Sequence, residues 1–142
     1  MSAIFKEELT PTLCKLFKKK KMNGYKDLIL WQKAIDLVDE IYKLVKFLPK
    51  EEKFALSDQM RRAAVSVPSN IAEGYERNSD KEFINFLVIA RGSRAELETQ
   101  LYICVRQGYI TQQQAEKAFS LCNEIQRIIN KFIKNINENN KK

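Results

Sequence analysis

Four long stretches of this chain repeat apolar residues at alternating spacings of three and four. This spacing puts the apolar side chains on one side of an α-helix, because the helix turns once in 3.6 residues. Only four glycines and three prolines interrupt 142 residues, so the connections between helices must be few. No segment alternates apolar and polar residues as a half-buried strand does. The pattern predicts an all-α fold, an antiparallel up-down-up-down four-helix bundle.

The first two helices are predicted over residues 27–48 and 52–77. Asp27 is expected to cap the first helix, and Pro49 is expected to end it. The core stripe of the first helix is predicted as Trp31, Ala34, Val38, Ile41, Val45 and Leu48, and that of the second as Leu56, Met60, Ala63, Val67 and Ile71.

The third and fourth helices carry clearer start signals. Ser79 with Glu82, and Thr111 with Gln114, match the capping box, in which two side chains each bind the other residue's free amide. Gly108 is expected to stop the third helix. The core stripes are predicted as Phe83, Leu87, Ala90, Arg94, Leu97, Leu101 and Cys104, and as Ala118, Cys122, Ile125, Ile129, Phe132 and Ile136.

Composition excludes several classes of function. The chain has no histidine, which removes histidine-assisted nucleophilic catalysis and histidine-ligated metal sites. Cys14, Cys104 and Cys122 form no C-x-x-C pair, so we expect a reducing cytoplasmic setting, with Cys104 and Cys122 in the core. No apolar run reaches about 18 residues, which argues against a membrane helix. We expect no cofactor, no metal and no membrane partner.

The positive charge is concentrated near the N-terminus. Residues 1–21 hold six lysines and two glutamates, including the run Lys18–Lys21, whereas residues 22–142 hold 19 basic and 16 acidic side chains. We interpret residues 1–21 as a flexible basic extension before a bundle domain over residues 22–142. Two explanations stay open: an upstream start codon before an original start at Met22, or a basic arm that reaches for RNA or DNA.

The second predicted helix contains residues that helices usually avoid. Pro68 lies well inside it, where proline costs about 3 kcal/mol, so the helix should bend or restart there. Either the kink is simply tolerated, or it places Ser69 and Asn70 at a contact surface. The adjacent Arg61 and Arg62 point about 100° apart; one is expected to flank the core beside a carboxylate, and the other to face outward.

Arg94 falls on the core stripe of the third helix, where a charge needs a partner. Glu98, one turn later, is the local candidate, and Glu73 is the distant one. Gly92 lies between Arg94 and Arg91, in a stretch of small side chains that another helix could approach closely. A buried ion pair, a subunit interface and a phosphate contact all remain open for these arginines.

More apolar residues lie beside the stripes than a monomeric bundle needs, which is about three positions in seven. We therefore predict self-association. These residues are Ile29, Leu30, Ile35, Leu37, Leu44, Phe54, Val88, Ile89 and Ile103.

Several segments resemble the four-helix bundle family of 23S rRNA intervening-sequence proteins. That family includes the accessory variability determinant proteins of diversity-generating retroelements. The matching segments are YKDLILWQKA, QMRRAAVSVPSNIAEGYER, EFINFLVIARGSRAELETQLYI and the Gly108–Tyr109 pair, within about residues 25–134. The resemblance implies a homopentameric barrel with a central channel and basic surfaces, and no catalytic activity. The accessory members bind nucleic acid and a reverse transcriptase. The motif arginines fall on Arg61, Arg62, Arg77, Arg91 and Arg94.

We therefore expect a non-enzymatic pentamer, encoded in a 23S rRNA intervening sequence or similar element, that binds RNA or DNA through these arginines. The alternative is a protein-interaction scaffold, for example for a reverse transcriptase, that does not itself touch nucleic acid. The third hypothesis is a carboxylate-metal nuclease built on Glu73, Glu76, Asp80 and Glu82, although the last two resemble ordinary first-turn acids.

Overall fold

The structure, a computed structural model, describes residues 24–141 as helices joined by short connections. The four α-helices are α1 (Ile29–Leu44), α2 (Leu56–Glu76), α3 (Asp80–Arg106) and α4 (Gln112–Asn140), and the 3-10 helices are Gly24–Asp27, Val45–Phe47 and Lys50–Glu52. No strand occurs within the described residues, so the predicted all-α class is confirmed. The predicted basic extension at residues 1–21 lies outside the described part of the chain.

Each helix packs against two others: α1 and α3 both contact α2 and α4. Contacts between neighbouring helices occur in reversed chain order, which means that these neighbours run antiparallel. The contact pairs are Met60–Cys104 and Ser66–Ser93 between α2 and α3, Arg91–Asn130 and Tyr102–Phe119 between α3 and α4, and Lys33–Glu124 and Glu40–Lys117 between α1 and α4.

The predicted core stripes of α3 and α4 are confirmed in full, and that of α2 is confirmed except for Leu56, which is half-buried. The predicted stripe of α1 is partly wrong. Leu30, Leu37 and Leu44 are buried, and Trp31 and Val38 are only half-buried. Leucines placed beside the stripe are thus core, because α1 carries two overlapping apolar stripes and the bundle buries the one between α2 and α4.

The predicted start of α1 is also wrong. Its N-cap is Leu28, which makes no side-chain capping bond, and Asp27 belongs to the preceding 3-10 helix. The chain is tied there by backbone instead, since the Leu28 amide donates to the Tyr25 carbonyl at 3.0 Å. The helix predicted from residue 52 begins later, at Leu56.

The capping box predicted for α4 is confirmed, whereas the one predicted for α3 forms only its first bond, because the Glu82 carboxylate binds the Ser79 hydroxyl instead of the Ser79 amide. At Thr111 both reciprocal bonds are present: Gln114 N donates to Thr111 Oγ1 at 3.0 Å, and Thr111 N donates to Gln114 Oε1 at 2.8 Å. At Ser79 the hydroxyl accepts from Glu82 N at 3.1 Å and also contacts the Glu82 carboxylate at 3.2 Å. Gly108 ends α3 with a φ of 77°, a value that glycine adopts at little cost.

α2 runs without interruption through Pro68, so a restart of the helix at this residue is excluded; the predicted bend stays a prediction. The Asn70 amide group donates to the Ser66 carbonyl at 2.7 Å and contacts Ser66 Oγ at 2.9 Å. Ser66 Oγ in turn lies 2.8 Å from Ser93 Oγ on α3. Asn70 therefore binds one turn back along α2, and the Ser66 hydroxyl that it contacts links α2 to α3.

α2 and α3 approach closely at Gly74, which is buried. A Cβ on this residue would lie 2.6 Å from Phe86 Cβ and 3.1 Å from Phe83 Cδ1. Cβ atoms do not approach so closely, so any larger residue must push the two helices apart. Gly74 thus sets the spacing of the helices that carry the motif arginines.

Candidate functional site

The five motif arginines are spread along the α2–α3 pair and do not converge on one site. Arg61 and Arg62 lie in the first half of α2, and Arg77 directly follows its last residue. Arg91 and Arg94 lie in the middle of α3. Since α2 and α3 run antiparallel, this order distributes the arginines over the length of the bundle.

The Arg61–Arg62 pair makes local contacts. Exposed Arg62 forms an ion pair with Asp58 one turn earlier, with 3.2 Å between Nε and Oδ2. Half-buried Arg61 donates from Nη2 to the Lys53 carbonyl at 3.4 Å, which ties α2 to the connection that precedes it. The outward-facing arginine therefore pairs with the carboxylate and the one nearer the core binds backbone, so the predicted carboxylate partner for the core-flanking arginine is wrong.

Arg77 is held between two carboxylates. Its Nη2 lies 3.0 Å from Glu73 Oε1, and its Nη1 lies 3.8 Å from Glu82 Oε1. The guanidinium also stacks over the Phe86 ring, 5.1 Å from its centre. The Arg77 side chain is still 45% exposed, and such exposed pairs are worth at most about 1 kcal/mol, so phosphate could displace them.

Arg94 is buried, with a side chain only 5% exposed, and its Nη1 lies 3.4 Å from Glu98 Oε1. The buried ion pair with Glu98 is thus confirmed, and Glu73, the distant candidate, pairs with Arg77 instead. Arg94 Nε and Nη1 make no hydrogen bond within the described residues. A guanidinium so enclosed does not reach ligands at the surface of the subunit.

The two described cysteines are free and buried, as predicted. Burial, with a smaller effect from the charge of Glu98 and an opposing effect from the charge of Arg94, raises the pKa of Cys122 to about 12. Burial, with a smaller effect from Glu52, raises the pKa of Cys104 to about 11. Both thiols therefore stay protonated and unreactive at neutral pH. Cys14 lies outside the described residues.

Arg91 connects α3 to a surface that sequence reasoning missed. Its Nη1 donates to Asn130 Oδ1 on α4 at 2.8 Å. Around Asn130, the exposed side of α4 presents Arg127, Lys131 and Lys134. We call these three residues and Asn130 the α4 basic face. The available signal was a basic residue at i, i+4 and i+7, a spacing that puts all three on one side of a helix.

The outward side of α3 is unusually apolar and small. Val88, Ile89 and Ile103 are 42%, 50% and 41% exposed. Between them lies exposed Gly92, where a Cβ would meet no atom within 4 Å. We call Val88, Ile89, Gly92 and Ile103 the α3 outer face. Val88, Ile89 and Ile103 were predicted to lie outside the core, and their exposure is confirmed.

A shallow apolar groove of about 290 Å³ lies between α1 and α2. Exposed Ser69 lines this groove, whereas Asn70 is engaged with Ser66. Of the two residues predicted at a contact surface, only Ser69 is therefore available to a partner. The lining residues are Tyr25, Trp31, Ile35, Val38, Val65, Pro68, Ser69 and Ala72.

The potential metal ligands and the carboxylates proposed for a nuclease do not form a metal site in the described part of the chain. Within residues 24–141, no group of three or more potential ligand side chains is arranged to hold a metal ion. Of the four carboxylates considered for a nuclease, Glu73 and Glu82 both contact Arg77.

None of the described helices combines the length and the apolar character needed to cross a membrane.

Comparisons with known proteins place the chain beside proteins of one family and a similar fold. A family model described as 23S rRNA-intervening sequence protein matches residues 26–131. The chain is also similar to a crystal structure from Bacteroides thetaiotaomicron VPI-5482, a protein of unknown function from the S23 ribosomal protein family. The two share 34% sequence identity with a TM-score of 0.69, over 75% of this chain and 99% of that chain. A search of curated proteins finds no match.

Proposed function

Because the chain belongs to the family of 23S rRNA-intervening sequence proteins, we propose that it is a non-enzymatic bundle protein that assembles with copies of itself and binds nucleic acid through cationic side chains of the assembly. Such a protein would be encoded in an intervening sequence or a similar element. The buried free thiols of Cys104 and Cys122 suit a cytoplasmic setting. The observation that carries this proposal is the α3 outer face.

The α3 outer face supports burial against a second copy. In a monomeric bundle, Val88, Ile89 and Ile103 stay exposed and do not stabilise the fold. Full burial of such a side chain against a second copy would stabilise the assembly by about 1.5–3 kcal/mol. Gly92 at the centre of the face lets another helix pack closely, within the usual interaxial distance of about 8–10 Å. The proposed number of five subunits rests on the family resemblance.

Assembly is tested by the mass of the protein in solution, measured by light scattering after gel filtration. Val88→Lys should shift the wild-type oligomer towards monomer, because a lysine ammonium cannot be buried without a partner. Val65→Lys on α2 is the matched control, since Val65 is also 42% exposed; it should leave the mass unchanged. A monomeric wild type, or equal masses for both variants, would contradict the proposal.

Assembly would also concentrate charge. Residues 22–142 carry a modest excess of 19 basic over 16 acidic side chains, and a ring repeats that excess in every subunit. Phosphate contacts made in this way are tolerant of sequence and weaken with salt. Of the motif arginines, Arg62 and Arg77 are proposed to contribute because they are exposed, and Arg91 because it lies next to Asn130 of the α4 basic face. Arg61 and Arg94 have structural roles.

A second candidate function is a scaffold that binds a protein, such as a reverse transcriptase, and leaves nucleic acid to that partner. It is supported by the contacts of the motif arginines, because each of the five has a partner within its own chain. Arg62→Glu and Arg91→Glu separate the two functions, because both arginines are proposed to contact phosphate. If the protein is a scaffold, these changes alter assembly or capture of the partner, and neither the wild type nor the variants bind RNA.

A further inference from the structure

We infer that the α4 basic face, together with Arg91, is the main phosphate-binding surface of each subunit, and that its ligand is the phosphate backbone of a nucleic acid. This inference rests on the proposed function and identifies the residues that perform it. The principal phosphate-binding site is thus assigned to the exposed side of α4 and not to the motif arginines of α2.

Between Glu124 and Glu138, the charge on α4 is of one sign; Glu138 follows Lys134 by one turn on the same side of the helix and forms no ion pair within the described residues. Residues 125–137 contain three cations and no aspartate or glutamate. The nearest carboxylate before this stretch, Glu124, forms an ion pair with Lys33 on α1. Glutamine and asparagine make up the other polar positions, and their amide groups can bind phosphate and base edges without repelling the nucleic acid.

The three cations are also free to bind. Within the described residues, Arg127, Lys131 and Lys134 are exposed and form no ion pair with a carboxylate. Phosphate binding at Arg62 or Arg77 would instead break an existing ion pair with Asp58 or Glu73. The α4 basic face thus binds an anion without giving up contacts that the fold already makes.

The spacing of the cations suits a nucleic-acid backbone. Successive residues of a helix turn by about 100° and rise by about 1.5 Å. Arg127, Lys131 and Lys134 therefore lie within about 60° of one another around the axis and span about 10 Å. Duplex phosphates repeat every 3.4 Å or so of axis along one strand, so the row extends along about three phosphates.

Arg91 widens this row from one helix to two. Its Nη1 is held by Asn130 Oδ1 at 2.8 Å, a bond that places the guanidinium beside the α4 cations across the α3–α4 contact. A guanidinium has five N–H donors in a fixed plane, and the bond to Asn130 uses one. The remaining donors suit bidentate binding of a phosphate.

The test is the salt dependence of binding to a fluorescently labelled structured RNA, measured by anisotropy. The variant carries Arg127→Gln, Lys131→Gln and Lys134→Gln. The control carries Lys46→Gln, Lys50→Gln and Arg106→Gln, which remove the same charge at other exposed positions that form no ion pair in the described chain. Circular dichroism and solution mass establish that both proteins fold and assemble as the wild type does.

For three lost phosphate contacts per bound subunit, the plot of log affinity against log salt should become less steep by about two to three. Between 50 and 200 mM salt, this corresponds to a difference of roughly 20- to 40-fold in the loss of affinity. The control should keep the wild-type slope. If the wild type binds RNA and the α4 variant has the slope of the control, the inference fails and the proposed function stands. If the wild type binds neither structured RNA nor duplex DNA at about 50 mM salt, both fail.

Discussion

Gly74→Ala tests the packing that sets the α2–α3 spacing. Alanine favours the helix over glycine by up to about 1 kcal/mol, so at a helical position without steric clashes the substitution would stabilise the protein. At Gly74, however, the added Cβ would lie 2.6 Å from Phe86 Cβ, an atom fixed to the backbone of α3. The helices must therefore separate, and overpacking of this kind costs about 1–3 kcal/mol. The clash outweighs the propensity, and we expect a net loss of about 1–2 kcal/mol.

Gly92→Ala is the matched control, because Gly92 is also helical and its Cβ would meet nothing within 4 Å. Here only the propensity counts, and we expect a gain of about 0.5–1 kcal/mol. Both changes are made in the Val88→Lys background, so that assembly through the α3 outer face does not affect the comparison.

The assay is thermal unfolding followed by circular dichroism. At about 4 °C per kcal/mol for a domain of this size, Gly74→Ala should lower the midpoint by roughly 4–8 °C, and Gly92→Ala should raise it by roughly 2–4 °C. Equal stabilisation by both alanines would refute the reasoning, because it would mean that α2 and α3 have room for a methyl group at Gly74.

Two further predictions concern the buried polar groups. Glu98→Ala should destabilise the fold by about 3 kcal/mol in urea unfolding, because it leaves the Arg94 charge buried without a partner. Adding Arg94→Met should recover part of that loss. A double variant that is no more stable than Glu98→Ala would contradict this account. In a Cys14→Ser background, Cys104 and Cys122 should resist a thiol reagent at pH 8 until the protein is unfolded. Because burial raises both thiol pKa values in the folded state, the stability that the thiols contribute is complete below about pH 9 and is lost towards pH 11–12; rapid labelling of the native protein, or stability unchanged over this range, would count against it.

The sequence predicts the core best where the apolar pattern is unambiguous. In α3 and α4, every residue assigned to the core stripe is buried, including Arg94. In α1, two stripes share Ala34 and Ile41, and periodicity alone does not say which is buried. The neighbours decide that question, because α1 packs on both α2 and α4. The prediction therefore failed where tertiary packing selects between two equivalent local patterns.

The candidate site is predictable in part. The motif identifies Arg61, Arg62 and Arg77, and the stripe identifies Arg94 as buried with Glu98. What the motif does not contain is the partner of each arginine, which depends on contacts between helices. The α4 basic face was missed for another reason: its cations alternate with core residues in the stretch IQRIINKFIKNIN, and only projection onto a helix brings them together.

The most direct test of the account is whether the wild-type protein binds structured RNA at low salt. Anisotropy at about 50 mM salt should show binding that weakens strongly at about 200 mM, because cations of the assembled protein release counterions from the phosphates. An absence of binding at 50 mM salt by an assembled protein would contradict the central claim and would leave the scaffold function in its place.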